Sequence, residues 1–115
     1  MEVTATLRNV KFASRKGRLV ADLVRTRSCG DALNILRECP KSAARPIKKL
    51  LESALANAQV LNDQKSAGID LDNLYVKKIA VDRGSHSWRI SPRAQGRAYW
   101  VRKMSSHLTV VLDER

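Results

Sequence analysis

Hydrophobic and polar positions change period several times along the chain, and each change marks an element. Val3, Ala5 and Leu7 alternate with Thr4, Thr6 and Arg8. That two-residue period predicts a half-buried strand over 2–10. The period then lengthens: Leu19, Val20, Leu23 and Val24 form the stripe of a helix over about 15–26, with Ser14 as its N-cap. Arg15, Arg18, Asp22 and Arg25 make its polar face, with Asp22 within helical reach of Arg18 and Arg25. Ser28 is placed to cap a second helix, and Asp31 favours its first turn. Ala32, Leu33, Ile35, Leu36 and Cys39 are its core candidates, and Pro40 ends it. A third helix starts near Ser42 or Ala43 and runs to about Asn62. Its stripe is Ile47, Leu50, Leu51, Ala54, Leu55, Ala58 and Leu61. Pro46 fits that helix only in the first turn. Lys48 and Lys49 fall on its outer side, beside Lys41 and Arg45.

The stretch 63–72 is polar, contains Gly68 and reads as a loop. Leu74, Tyr75, Val76, Ile79 and Val81 predict a strand whose phase slips at Lys77–Lys78, the mark of a bulge. His107 to Leu112 is another strand, with Leu108, Val110 and Leu112 on one face. Between Asp82 and Ser106 there is no helical periodicity. The order of elements predicts an α+β fold, with three helices packed on a small three-stranded antiparallel sheet. The last two strands follow one another, so a hairpin is the economical link. Its arms hold about twenty residues each and could reach on the order of 60 Å at ~3.3 Å per residue. The expectation is one domain over 1–115, with 83–103 as the extended arm of a long protruding β-hairpin. A bare two-stranded hairpin is marginal in water, so the arm is expected to take its order from a partner.

Composition and charge narrow the partner. The chain has 115 residues, with 22 Lys+Arg against 11 Asp+Glu, a net charge of +11 and a pI near 10.4. A hydrophobic share of 43% is too high for a disordered polycation. No apolar run approaches the ~20 residues that span a bilayer. The N-terminus lacks the basic-then-apolar pattern of a signal peptide. Cys29 and Cys39 are not a disulfide framework, and on one helix they would stand ~15 Å apart. They read as buried apolar cysteines. Asp63, Asp70 and Asp72 lack the spacing of a cation-binding loop, and His86 and His107 have no ligand set around them. With no Gly-rich phosphate loop and no nucleophile elbow, neither an enzyme nor a metal or cofactor is expected.

The charge is uneven. Residues 1–27 carry +5, whereas 83–103 carry six basic side chains and no acid, giving +6. Those six are Arg83, Arg89, Arg93, Arg97, Arg102 and Lys103, and Trp88, Tyr99 and Trp100 lie among them. Guanidinium groups bind phosphate bidentately and stack on bases, and aromatic rings offer faces to unstacked bases. A solvated charge run is the plain alternative. The missing acids and the interleaved aromatics favour RNA over it.

Three stretches carry a family resemblance. Pro92-Arg93-Ala94-Gln95-Gly96-Arg97, followed ten residues on by His107-Leu108-Thr109-Val110-Val111-Leu112, is similar to the signature of the universal L-twenty-two family of large-subunit ribosomal proteins, in its bacterial form. Lys16 to Arg25 resembles the family's first helix, and Lys48 to Ala58 its third. The resemblance covers nearly the full length. It implies a globular body near the subunit surface and a long β-hairpin threaded through rRNA, its tip lining the nascent-peptide exit tunnel. The L-four family protein and the nascent peptide would then be neighbours. It also implies a part in early subunit assembly and an influence on macrolide susceptibility. By position, the tip would fall at about Ser85 to Ser91, with His86, Ser87, Trp88, Arg89 and Ile90 facing the tunnel. Where the family commonly has a basic residue, this chain has Trp88, which would either stack on a base or narrow the tunnel.

Arg83, Arg93, Arg97, Arg102 and Lys103 are therefore assigned to rRNA along the hairpin. Arg15, Lys16, Arg18, Arg25 and Arg27 form a second rRNA-facing group on the first helix. Lys48 and Lys49 are further candidates, for which a solvated helix face is the competing reading. A free-standing RNA chaperone and an RNA-modifying enzyme are the alternatives to a structural ribosomal protein. Co-sedimentation with large subunits separates the first, and the second needs catalytic residues that the sequence lacks. The expected location is ribosome-bound in a bacterial cytoplasm rather than an organelle, with no membrane contact and no homo-oligomer.

Overall fold

The last strand of the chain is the middle of its sheet. In the computed structural model, which describes residues 2–65 and 68–114, β1 (Val3–Val10), β2 (Leu74–Arg83) and β5 (Ser106–Glu114) pair in the order β1-β5-β2, and both pairings are antiparallel. Along β5, Ser106, Leu108, Val110 and Leu112 are buried and the alternate positions half-buried, so one face of the sheet is covered and the other lies open. The cover consists of α1 (Ser14–Val24), α2 (Cys29–Glu38) and α3 (Ala44–Lys65). The fold is α+β, as the sequence pattern predicts. Fully buried Leu108, Leu112, Val110, Leu74, Val76, Ile47 and Leu51 fill the space between the layers. Each such side chain stabilises the fold by roughly 1.5–3 kcal/mol relative to exposure. The bulge falls where expected, between Val76 and Lys78.

The packing face of α1 differs from the predicted stripe. Val20 and Val24 are buried, but Leu19 and Leu23 are 55% and 47% exposed. The face turned inward is Ser14, Gly17, Val20, Ala21 and Val24, about a quarter turn away at ~100° per residue. Close approach explains the rotation. A Cβ on Gly17 would lie 2.6 Å from Phe12 Cε1 and 3.1 Å from Val81 Cγ1, so the helix turns a residue without a side chain to the point where it comes nearest Phe12 and β2. The helix also begins one residue earlier than expected. Ala13 is the N-cap, without a side-chain bond, and Ser14 is its buried first residue. It ends at Val24, where Arg25 turns extended and Thr26 takes φ 67°. Ser28 caps α2 as predicted, its hydroxyl accepting from Asp31 N–H at 3.4 Å. Cys39 is the C-cap of α2 rather than one of its helical residues, and both thiols are free.

The expected loop over 63–72 is shorter, because α3 continues to Lys65; its positions 66–67 lie outside the described residues. Asn62 anchors the return: its side chain donates to Ile69 O at 2.7 Å and accepts from Ile69 N at 2.8 Å. Asp70 then caps a short 3-10 turn at Leu71–Asn73, accepting from Asp72 N at 3.1 Å and Asn73 Nδ2 at 2.7 Å.

Beyond the body, β3 (Ser87–Pro92) and β4 (Ala98–Lys103) form a separate two-stranded ribbon. The molecule measures 65 × 26 × 16 Å, and no large side chain of the ribbon is buried. The turn joining its strands is at Arg93–Arg97, closed by Arg93 N–H donating to Arg97 O at 2.7 Å. The tip expected at Ser85–Ser91 is thereby corrected: His86 leads into the outgoing strand, and Ser87, Trp88, Arg89 and Ile90 lie on it. The physical reason is the left-handed backbone at Gln95 (φ 65°) and Gly96 (φ 70°). Two successive residues of that hand reverse the chain, and glycine adopts it without strain.

Candidate nucleic-acid interface

The ribbon joins the body through a bulge. Arg83 pairs with Ser106 in the sheet, and Ser87 pairs with Lys103 in the arm. Three residues, Gly84–His86, lie between those pairs on the outgoing side, and two, Met104–Ser105, on the return. The extra residue is held by Gly84 N–H donating to Ser105 O at 2.9 Å and by the Ser105 hydroxyl donating to Ser85 O. A side chain at Gly84 would meet Ser105 Oγ at 2.7 Å and the Ser105 carbonyl carbon at 3.2 Å, so the crossing is close and a larger residue would displace the Ser105 hydroxyl.

Register then sorts the arm into two faces. Trp88 stands opposite Arg102, Ile90 opposite Trp100, and Pro92 opposite Ala98. Opposed residues share a face, so Trp88, Ile90, Pro92, Ala98, Trp100 and Arg102 lie together. Ser87, Arg89, Ser91, Tyr99, Val101 and Lys103 form the other face. Arg93 and Arg97 flank the turn, and Arg83 ends β2 beside the joint. Arg83, Arg89, Arg93, Arg97, Arg102 and Lys103 are all exposed. Arg89 is steadied by a bond from Nη1 to Trp88 O at 2.9 Å.

The tertiary structure adds basic residues beside these. At the root of the arm, Asn9 and Lys11 from the end of β1 meet residues 85–87, Arg89, Lys103, Met104 and Ser105 around a cleft of about 600 Å³. A second groove of about 560 Å³ runs between Leu7–Val10 and the start of α3, where Arg8, Arg45, Lys48 and Lys49 face a single acid, Glu52. Asn9 lines both, so the two basic clefts adjoin there. Asn9 takes φ 60° there, with its N–H bonded to His107 Nδ1 at 3.1 Å. Lys48 lies 4.0 Å from Glu52 and is half-buried, whereas Lys49 is exposed. Arg8 and Lys11 had no place among the predicted binding residues. Their only sequence signal is the +5 of residues 1–27, which does not say which side chains converge.

The α1 group divides. Arg15 and Lys16 are exposed on the first turn. Arg18 donates from Nε to Val81 O at 3.1 Å, and Arg25 from Nη2 to Ile79 O at 3.0 Å. Arg25 also pairs with Asp22. Farther along β2, Thr26 N–H donates to Val76 O at 3.0 Å, and Val76 N–H to Arg27 O at 2.9 Å. These bonds close the outer edge of β2, which β5 does not cover and which would otherwise be open for strand addition. Arg18 and Arg25 are thus partly committed to the fold, while the Arg27 side chain is exposed.

Electrostatics follow the same division. Lys77, at the bulge, is hydrogen-bonded to Glu2 and lies 3.6 Å from Asp113. The bond to Glu2, and then its charge, raise the ammonium above its ordinary value. That lysine is occupied with carboxylates, whereas the arm holds no acid at all. Among the described residues no three His, Cys, Asp or Glu side chains gather as a metal site, and no helix is long and apolar enough to cross a membrane.

A sequence model of the family described as ribosomal protein L22p/L17e matches residues 5–113. The chain belongs to that family. It is 50% identical over 115 residues to the large ribosomal subunit protein uL22 of Citrifermentans bemidjiense, covering 100% of this chain and 99% of that protein. It is 47% identical to that of Bdellovibrio bacteriovorus, over the whole of both chains. To that of Caldicellulosiruptor saccharolyticus it is 46% identical over 114 residues, 99% of this chain and 89% of the relative. Membership makes the chain a large-subunit ribosomal protein and not an enzyme.

Proposed function

We propose that this L22p/L17e-family chain is a structural rRNA-binding protein whose body rests on the large subunit and whose arm is threaded through rRNA. The observation that carries the reading is the arm itself: a ribbon without a core, with exposed basic residues and no acid over 83–103. Such a ribbon gains order and charge balance from a polyanion. Arg83, Arg93, Arg97, Arg102 and Lys103 contact phosphates along it. The Arg93–Arg97 turn, rather than residues 86–90, is the part that reaches the wall of the nascent-peptide tunnel, next to the L-four family protein. The Arg8–Arg45–Lys49 groove and the exposed Arg15, Lys16 and Arg27 hold the body to rRNA. Assembly of the subunit and passage of the nascent peptide are the processes this arrangement serves, on ribosomes of the bacterial cytoplasm.

The test is incorporation. Arg93→Ala combined with Arg97→Ala should lower the protein's occupancy in salt-washed large subunits. Unchanged occupancy would remove the arm from the binding surface. With roughly six phosphates neutralised, log affinity for rRNA should fall with log salt at a slope near −4 to −5. A flat response would end the polyanion reading.

A further inference from the structure

We propose that the Trp88–Ile90–Trp100 face of the arm is a stacking platform for unpaired nucleobases of an RNA strand. The proposal rests on the reading of the arm as an RNA ligand and specifies what the arm takes. Trp88, Ile90 and Trp100 are 52%, 61% and 67% exposed, and they occupy one face because the register places them there. Trp88 and Trp100 are diagonal neighbours and line an open cleft of about 390 Å³. Diagonal residues of an antiparallel pair stand about 7–8 Å apart, close to two stacking intervals of about 3.4 Å. That backbone spacing is of the order needed for a base to enter between two side-chain rings.

The placement depends on one residue. Along β2 from Lys78 to Arg83, opposed residues sum to an odd number, as in Arg83 with Ser106; in the arm they sum to an even one, as in Ser87 with Lys103. Had the sheet register continued, Trp88 and Trp100 would point to opposite faces. The bulge at Gly84–His86 absorbs the difference and lets the turn bring the indoles together. His86 then meets Trp88 edge-on, with centroids 5.9 Å apart at 88°, and supports the ring from the root side.

Large apolar side chains exposed together mark an interaction site. Charge decides the occupant. Arg102 shares this face, Arg93 and Arg97 lie at one end of it, and Arg89 and Lys103 lie on the reverse. No acid lies between 83 and 103. A ligand that offers flat apolar rings and a phosphate every few ångströms matches both the indoles and the cations. A duplex, with its bases already stacked, offers only the phosphates.

The chain contains two tryptophans, and both are on this face, so intrinsic tryptophan fluorescence reports on the platform alone. The full-length protein would be titrated with an oligouridylate of about ten nucleotides and with an RNA duplex of equal length. The single strand should quench the emission strongly and the duplex weakly. Each indole removed should weaken single-strand binding about 5- to 150-fold. Trp88→Phe with Trp100→Phe should keep most of the affinity, whereas Trp88→Leu with Trp100→Leu should lose it; these variants have no tryptophan, so their affinity is read by the anisotropy of end-labelled RNA. The salt slope should be unchanged in both, since no phosphate contact is lost. Equal affinity of the wild type and the Leu variant for the single strand would overturn the platform while leaving the RNA reading intact. So would equal quenching by the duplex. Absence of binding to either RNA would instead overturn the RNA reading, and the platform with it.

Discussion

Arg18 on α1 and Arg25 at its C-cap separate folding from binding within one basic group, and replacing them offers a quantitative test. Their donors reach Val81 O at 3.1 Å and Ile79 O at 3.0 Å on the outer edge of β2. A hydrogen bond from a charged donor contributes ~1.5–3 kcal/mol when well shielded. Both side chains are exposed, so water takes over part of each lost bond and about 1 kcal/mol apiece is the reasonable figure. Methionine keeps the aliphatic stem and removes the donor. Arg18→Met combined with Arg25→Met should therefore cost about 2 kcal/mol, which lowers the melting temperature by roughly 8–16 °C for a body of this size. Arg15→Met combined with Lys16→Met removes the same charge from residues with no comparable role in the fold. That pair should leave the melting temperature within a few degrees and reduce the slope of log affinity against log salt by up to ~1.8. Thermal melts followed by circular dichroism and salt-dependent RNA binding on both double variants and the wild type would check both halves. The division would be refuted if the Arg18/Arg25 pair melted with the wild type, or if the Arg15/Lys16 pair lost as much stability.

Leu108→Ala, at the fully buried centre of β5 between Leu7 and Val81, should destabilise the protein by ~2–5 kcal/mol in urea unfolding. A loss under about 1 kcal/mol would mean that the layers can collapse around the cavity. Burial raises the Cys29 thiol from 9.0 to about 11, so at pH 8 a thiol reagent should label half-buried Cys39 well before Cys29. Because the unfolded chain gives up this proton first, stability should decline as pH rises from about 9 to about 11, and Cys29→Ala should flatten that decline. In the free protein, amides of 87–103 should exchange far faster than those of β5, since the ribbon has no core to protect it. Equal protection would contradict an arm whose order comes from its partner.

Periodicity alone determined much of this protein. Strict alternation in 3–7, a 3.6-residue stripe in 47–61 and the slip at Lys77–Lys78 each report a local geometry, because neighbouring side chains on a strand or helix point where backbone dihedrals send them. The basic, acid-free stretch over 83–103 was equally legible, since charge needs no fold to be counted. The buried face of α1 was not. Leu19 and Leu23 suit a core as well as Val20 and Val24 do, and only the close approach of Gly17 to Phe12 and Val81 selects the small-residue face. Nor could sequence say that Arg18 and Arg25 bond to a strand more than fifty residues away, or that Arg8 and Lys11 stand beside Lys49 and Lys103. The arm shows the limit most clearly. Alternation puts Trp88 with Ile90, and Trp100 with Arg102, on common faces of their own strands. Whether the two sets coincide depends on cross-strand register, set by the left-handed residues Gln95 and Gly96 at the turn and by one extra residue at the joint. Register is a relation between strands, so it exists only once the chain has folded back on itself.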